Sequence, residues 1–163
     1  MQDGFETNMW VLEISILSYL TMEEILRKLS DKDNKTAYEF SKVIGSESSK
    51  SNKYLDMIPV FAEMLKAKSS FVRTRGFILI CSQARWADNG QIDAVFDQML
   101  LLLKDTKPSV VRQCLAALHE VALFRPEMTV QIEKAVSEID VEQYNDSMSP
   151  LIKKDIDDLR KVL

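Results

Sequence analysis

Apolar residues recur at intervals of three and four over most of the chain, the spacing that places them on one face of an α-helix. Between 92 and 103 they are Ile92, Val95, Phe96, Met99, Leu100 and Leu103. The same spacing returns in Val111, Leu115, Leu118 and Ala122, in Ile132, Ala135, Val136 and Ile139, and in Ile152, Ile156, Leu159 and Leu163. Breaks divide these runs at Asp88-Asn89-Gly90, Lys107-Pro108, Arg125-Pro126 and Ser149-Pro150. Each of these prolines can open a helix, where the missing N–H would have had no partner anyway. Thr21-Met22-Glu23-Glu24 has the spacing of a capping box. One stretch departs from the pattern. Leu12, Ile14 and Ile16 alternate with Glu13 and Ser15 as a strand would, but a lone strand has nothing to pair with in a helical chain. Residues 9–20 are read as a helix or an irregular apolar leader.

The predicted helices are short and come in pairs, which calls for a repeat search. Phe71-Val72-Arg73 aligns on Val110-Val111-Arg112 with a period of 39, and Met64-Leu65-Lys66 on Leu102-Leu103-Lys104 with a period of 38. The one-residue difference falls in the turn within the pair. A weaker upstream copy has Ile25–Leu29 in its first helix and Thr36–Ile44 in its second. One amphipathic pair cannot bury its own apolar face, so neighbouring pairs must stack.

A first helix, a turn of the form Asp-x-x-Pro-x, and Val-Arg opening a second helix resemble the HEAT repeat. The match is Asp105-Thr106-Lys107-Pro108-Ser109-Val110-Val111-Arg112, whose turn has one residue more than the usual pattern. Ser30-Asp31-Lys32-Asp33, Tyr38-Glu39-Phe40, Arg73-Thr74-Arg75-Gly76-Phe77, Arg112-Gln113-Cys114 and Asp146-Ser147-Met148 look like those of small bacterial HEAT-like proteins sometimes labelled SufBD. The resemblance implies an all-α fold, an α-α superhelix or solenoid of about four helix pairs, with second helices along the concave side. It divides a single domain, 1–163, into a leader (1–21), repeats at about 22–46, 54–86 and 91–124, and capping helices over 126–163. The expected core includes Leu65, Val72, Leu79, Leu100, Leu103, Val111, Leu115 and Leu118. The label also implies an accessory role in iron–sulfur cluster assembly.

The chain has 163 residues, enough to bury roughly 68–70% of its unfolded surface without a disulfide or metal staple. With 21 Lys and Arg against 25 Asp and Glu, the net charge is −4, which argues against a general nucleic-acid coat. The charge is uneven. Residues 50–86 carry seven cations against Asp56 and Glu63, a net of +5, leaving −9 for the remainder. That asymmetry keeps open a nucleic-acid-binding face on 50–86, beside a solvated helical surface. No basic region precedes the apolar N-terminal stretch, and no run is long enough to cross a bilayer, so the expected location is cytoplasmic with no membrane partner.

Chemistry is sparse. His119 is the single histidine, and it lies about 140° around the helix from Cys114, so the two share no face. Cys81 and Cys114 occupy different positions in their repeats and are expected to be reduced and buried. Glu23-Glu24 and Asp157-Asp158 are sequence neighbours, which diverge on a helix. Neither an enzymatic constellation nor a cofactor site emerges. The expectation is a non-catalytic scaffold that binds a protein partner through its repeat surface, with Arg73, Arg75, Trp86, Arg112 and Gln113 as candidate contacts. Arg73 and Arg112 have an alternative role as a ladder, each bonding a turn carboxylate such as Asp105 or a neighbouring repeat's carbonyls. Ala67 stands where the second repeat should carry its aspartate, so Arg73 would need Asp31 or Asp33 of the preceding repeat, or an external anion. Gly76, inside a helix, points to close approach of another backbone.

Overall fold

The computed structural model describes residues 20–163. The leader, Leu20 and Thr21 excepted, and the ambiguous stretch 9–20, Leu20 excepted, lie outside the described residues. Among the described residues eight α-helices follow one another: α1 (Met22–Leu29), α2 (Asn34–Ser48), α3 (Ile58–Met64), α4 (Ser70–Cys81), α5 (Asp93–Leu100), α6 (Pro108–Phe124), α7 (Thr129–Ser137) and α8 (Ser149–Arg160). Short 3-10 turns lie at Leu55–Met57, Leu101–Lys104, Pro126–Met128 and Val141–Gln143. No strand occurs among the described residues.

Local chemistry sets the helix starts. At α1, Thr21 accepts the Glu24 N–H at 3.2 Å while Glu24 accepts the Thr21 N–H at 2.8 Å, the reciprocal capping box. At α2, Asp33 accepts the Lys35 N–H at 3.1 Å and the Thr36 hydroxyl at 2.6 Å. Pro108 occupies the first position of α6, and Pro59 and Pro150 the second positions of α3 and α8.

These caps predict a pH response. The Glu24 carboxyl is held below its ordinary value chiefly by the Thr21 backbone N–H, and the Asp33 carboxyl chiefly by the Thr36 hydroxyl. A carboxyl depressed in the folded state contributes fully above its unfolded pKa and loses that contribution as the pH falls through its lower folded pKa. Stability at the α1–α2 end is therefore expected to fade below the ordinary values of 4.5 and 3.8. Thermal melts at neutral pH and at about pH 3 check this, and Asp33→Asn should flatten part of the difference.

Packing follows the pairing. α1 contacts α2 and α3 contacts α4, while α6 packs on the 3-10 turn that extends α5. The even-numbered helices form a continuous row, α2 on α4, α4 on α6 and α6 on α8. The odd-numbered helices α1, α3 and α5 also contact in series. The core lies between these sets and includes Phe61, Phe77, Phe96, Leu115 and Leu118, all essentially inaccessible. Of the expected core residues, Leu65, Val72, Leu79, Leu103, Val111, Leu115 and Leu118 are buried. Leu100 is the exception: it ends α5 half-buried, packing against the core from its edge.

Gly76 sits where α4 meets α3. A Cβ there would lie 2.7 Å from both the Cβ of Met64 and the carbonyl oxygen of Phe61. The helix backbones approach so closely that only hydrogen fits, as the mid-helix glycine predicted.

Candidate functional site

The candidate residues divide by what their side chains touch. Arg73, in the first turn of α4, donates from Nε and Nη2 to one oxygen of Asp105, at 3.0 and 2.8 Å. Its Nη1 donates to the carbonyls of Ala67 and Lys68 at 2.9 and 2.8 Å. The partner carboxylate therefore comes from the following helix pair, not from Asp31 or Asp33 of the preceding one. Asp105 is a junction: its other oxygen accepts the Lys107 N–H at 2.9 Å, and its carbonyl accepts the Tyr144 hydroxyl at 2.6 Å. Arg112 repeats the geometry one pair later, donating from Nε and Nη2 to the two oxygens of Asp155 in α8. The bond to Asp155 holds the Arg112 guanidinium more firmly protonated than usual. The two arginines, 39 residues apart in the sequence, form a ladder pointing toward the C-terminus.

Arg75 and Trp86 are also engaged internally. Arg75 is 5% exposed and donates from Nε to the carbonyl of Leu29, at the C-terminal end of α1, at 2.9 Å. Its Nη2 has no partner, and desolvation lowers its pKa. The Trp86 indole N–H donates to the Ser48 carbonyl at 2.7 Å, satisfying the end of α2. Gln113 is exposed and returns its amide to the Ser109 carbonyl at 3.2 Å.

The cations of 50–86 do not form one free field. Lys66 pairs with Glu63, Lys53 with Glu47 and Arg73 with Asp105, while Arg75 is buried. Arg85 lies over the Phe124 ring, 4.5 Å from its centroid.

The even-numbered row carries a different feature. Phe71 and Ile78, seven residues apart, share one face of α4, and Leu123 stands on α6. They are 59%, 36% and 68% exposed. Between α2, α4 and α6 runs an open groove of about 320 Å³. Gly45 and Ser49 line it from α2 and its C-terminus, Ile78, Cys81 and Ser82 from α4 and its C-terminus, and Ala116, Ala117, His119 and Glu120 from α6.

Compared with protein-family models, with curated proteins and with solved structures, the chain matches none.

The groove joins residues that single-helix reasoning kept apart. His119 and Cys114 do not share a face, yet His119 and Cys81 line the same groove from adjacent helices. The signal that could have paired them was the register of α4 against α6, fixed by packing and not by periodicity. Burial pushes the Cys81 thiol well up, with Cys114 and Glu120 adding to the shift. Burial likewise raises the Cys114 thiol. Both cysteines are free thiols held in their unreactive protonated form. Among the described residues, no three or more His, Cys, Asp or Glu side chains gather as metal ligands. No described helix is long and apolar enough to cross a membrane.

Proposed function

We propose that the chain is a HEAT-like α-solenoid that binds a protein partner through the solvent-facing side of α2, α4, α6 and α8. The serial contacts of alternate helices and the arginine ladder at repeat-equivalent positions support the stacked-pair reading. The observation that carries the binding reading is the exposure of Phe71, Ile78 and Leu123 on the adjacent helices α4 and α6, with Ile78 in the wall of a groove on the same row. Apolar residues gathered on one face mark an interaction site more often than scattered single residues do. On this reading Arg73, Arg75, Trp86 and Arg112 hold the repeats in register, and the contact surface lies on the apolar residues beside them. Gln113, exposed on α6, stays within that surface.

The test is a pull-down from native lysate, with nuclease, comparing the wild type with Phe71→Glu/Leu123→Glu. A control carries Met22→Glu/Val130→Glu on odd-numbered helices, where exposed apolar residues also occur. The expected result is a protein partner lost at least about ten-fold in the first variant and kept in the control, with both folded by circular dichroism. Equal recovery from all three proteins, or recovery abolished by nuclease, overturns the reading.

A further inference from the structure

We propose that the groove between α2, α4 and α6 receives one basic side chain of a protein partner, a lysine or arginine presented among apolar residues. This rests on the reading of the even-numbered row as the docking face and names what that face recognises. The groove, about 320 Å³, is large enough to admit one long side chain. The space exists because Gly45, Ala116 and Ala117 present little or no side chain where larger residues would close it.

The walls and the charge select the occupant. Ile78 and the two alanines offer an apolar surface for an alkyl stem. Glu120 is the carboxylate in the lining; it is half-buried and makes no hydrogen bond or ion pair with any described residue. Its charge adds to the upward shift of the Cys81 thiol, another group in the groove lining. Helices α2 and α4 end at Ser48 and Cys81, and Ser49, Cys81 and Ser82 line the groove. The negative ends of two helix dipoles therefore add to the carboxylate. A cation gains from the Glu120 carboxylate and from both helix ends. An acidic side chain would meet like charge, and a wholly apolar one would cover Glu120 without pairing it.

A random dodecapeptide library displayed on phage, panned against the full chain, tests the occupant. The expected result is enrichment of peptides with lysine or arginine flanked by apolar residues. Their synthetic versions should shift the amide resonances of Gly45, Ser49, Ala116 and Ala117. Glu120→Gln should weaken them by about ten- to a hundred-fold, the loss of one charge-assisted hydrogen bond to a shielded group. Ala116→Trp, at an exposed position, should block the groove and abolish binding without touching the core. Acidic or uncharged consensus peptides, affinity unchanged by Glu120→Gln, or no selected peptide at the groove each overturn the proposal. Peptides that need Phe71 and Leu123 but ignore Glu120→Gln leave the docking face standing and remove only its basic anchor.

Discussion

Asp105→Ala is expected to lower stability by about 3 kcal/mol, the low end for breaking a shielded ion pair from one side. The side chains of Arg73 and Asp105 are 18% and 9% exposed, so water cannot fully replace the lost partner. Arg73 keeps its carbonyl bonds to Ala67 and Lys68, which holds the loss to that lower end. The same change removes the acceptor for the Lys107 N–H just before α6. For a chain of this length the melting temperature should fall by roughly 6–12 °C. Asp105→Asn retains an acceptor for Lys107 and should lose less. In a double-mutant cycle, Arg73→Met/Asp105→Ala should cost less than the sum of the single changes, because neither member leaves a charge behind. Additive losses would show that the pair contributes no coupling. The geometry also bears on charge reversal of the arginines. Arg73→Glu would set two carboxylates against each other at the α4–α6 junction, so loss of a partner in such a variant would report a damaged fold.

Gly76→Ala should destabilise although alanine is the better helix former. The exchange gains about 1 kcal/mol of helix propensity. Against that, the new methyl meets the Phe61 carbonyl and the Met64 Cβ, each at 2.7 Å. Neither atom can rotate away, since one is backbone and the other is fixed to it. Overpacking of a close contact costs about 1–3 kcal/mol, and a rigid neighbour puts this site at the top of that span. The net loss should be about 2 kcal/mol, seen as a lower denaturation midpoint. Gly45→Ala is the contrast: nothing lies within 4 Å of its added Cβ, so the propensity gain should appear undiminished. A stabilised Gly76→Ala would show that α3 and α4 can separate at no cost.

Local features were legible in the sequence because their causes are local. The capping box at Thr21, the prolines opening α6 and α8, and the apolar spacing of α6 and α8 each need only neighbours within four residues. Gly76 was legible for the opposite reason, as a residue whose local cost demanded a distant explanation. The identity of Arg73's partner was not. Ala67 at the aspartate position directed attention backward to Asp31 and Asp33, whereas stacking brings Asp105 from the next pair. The direction in which one helix pair leans on another depends on the angle between pairs, which periodicity does not encode. Leu100 follows the helical spacing yet is only half-buried, although Met99, Leu102 and Leu103 around it are buried. The groove was illegible because it is made by small residues, which hydrophobic patterning overlooks. Ala116, Ala117 and Gly45 gain meaning only when three helices are brought together.

The ladder also gives the growing chain a timetable. Arg73 bonds a carboxylate 32 residues downstream, and Arg112 one 43 residues downstream. At about 5–20 residues per second, Arg73 waits roughly 2–6 s after synthesis before Asp105 exists. The second and third pairs thus emerge with a cation still seeking its anion, and the anion belongs to the pair being made. A nascent chain halted before residue 105 ends on an unsatisfied positive edge.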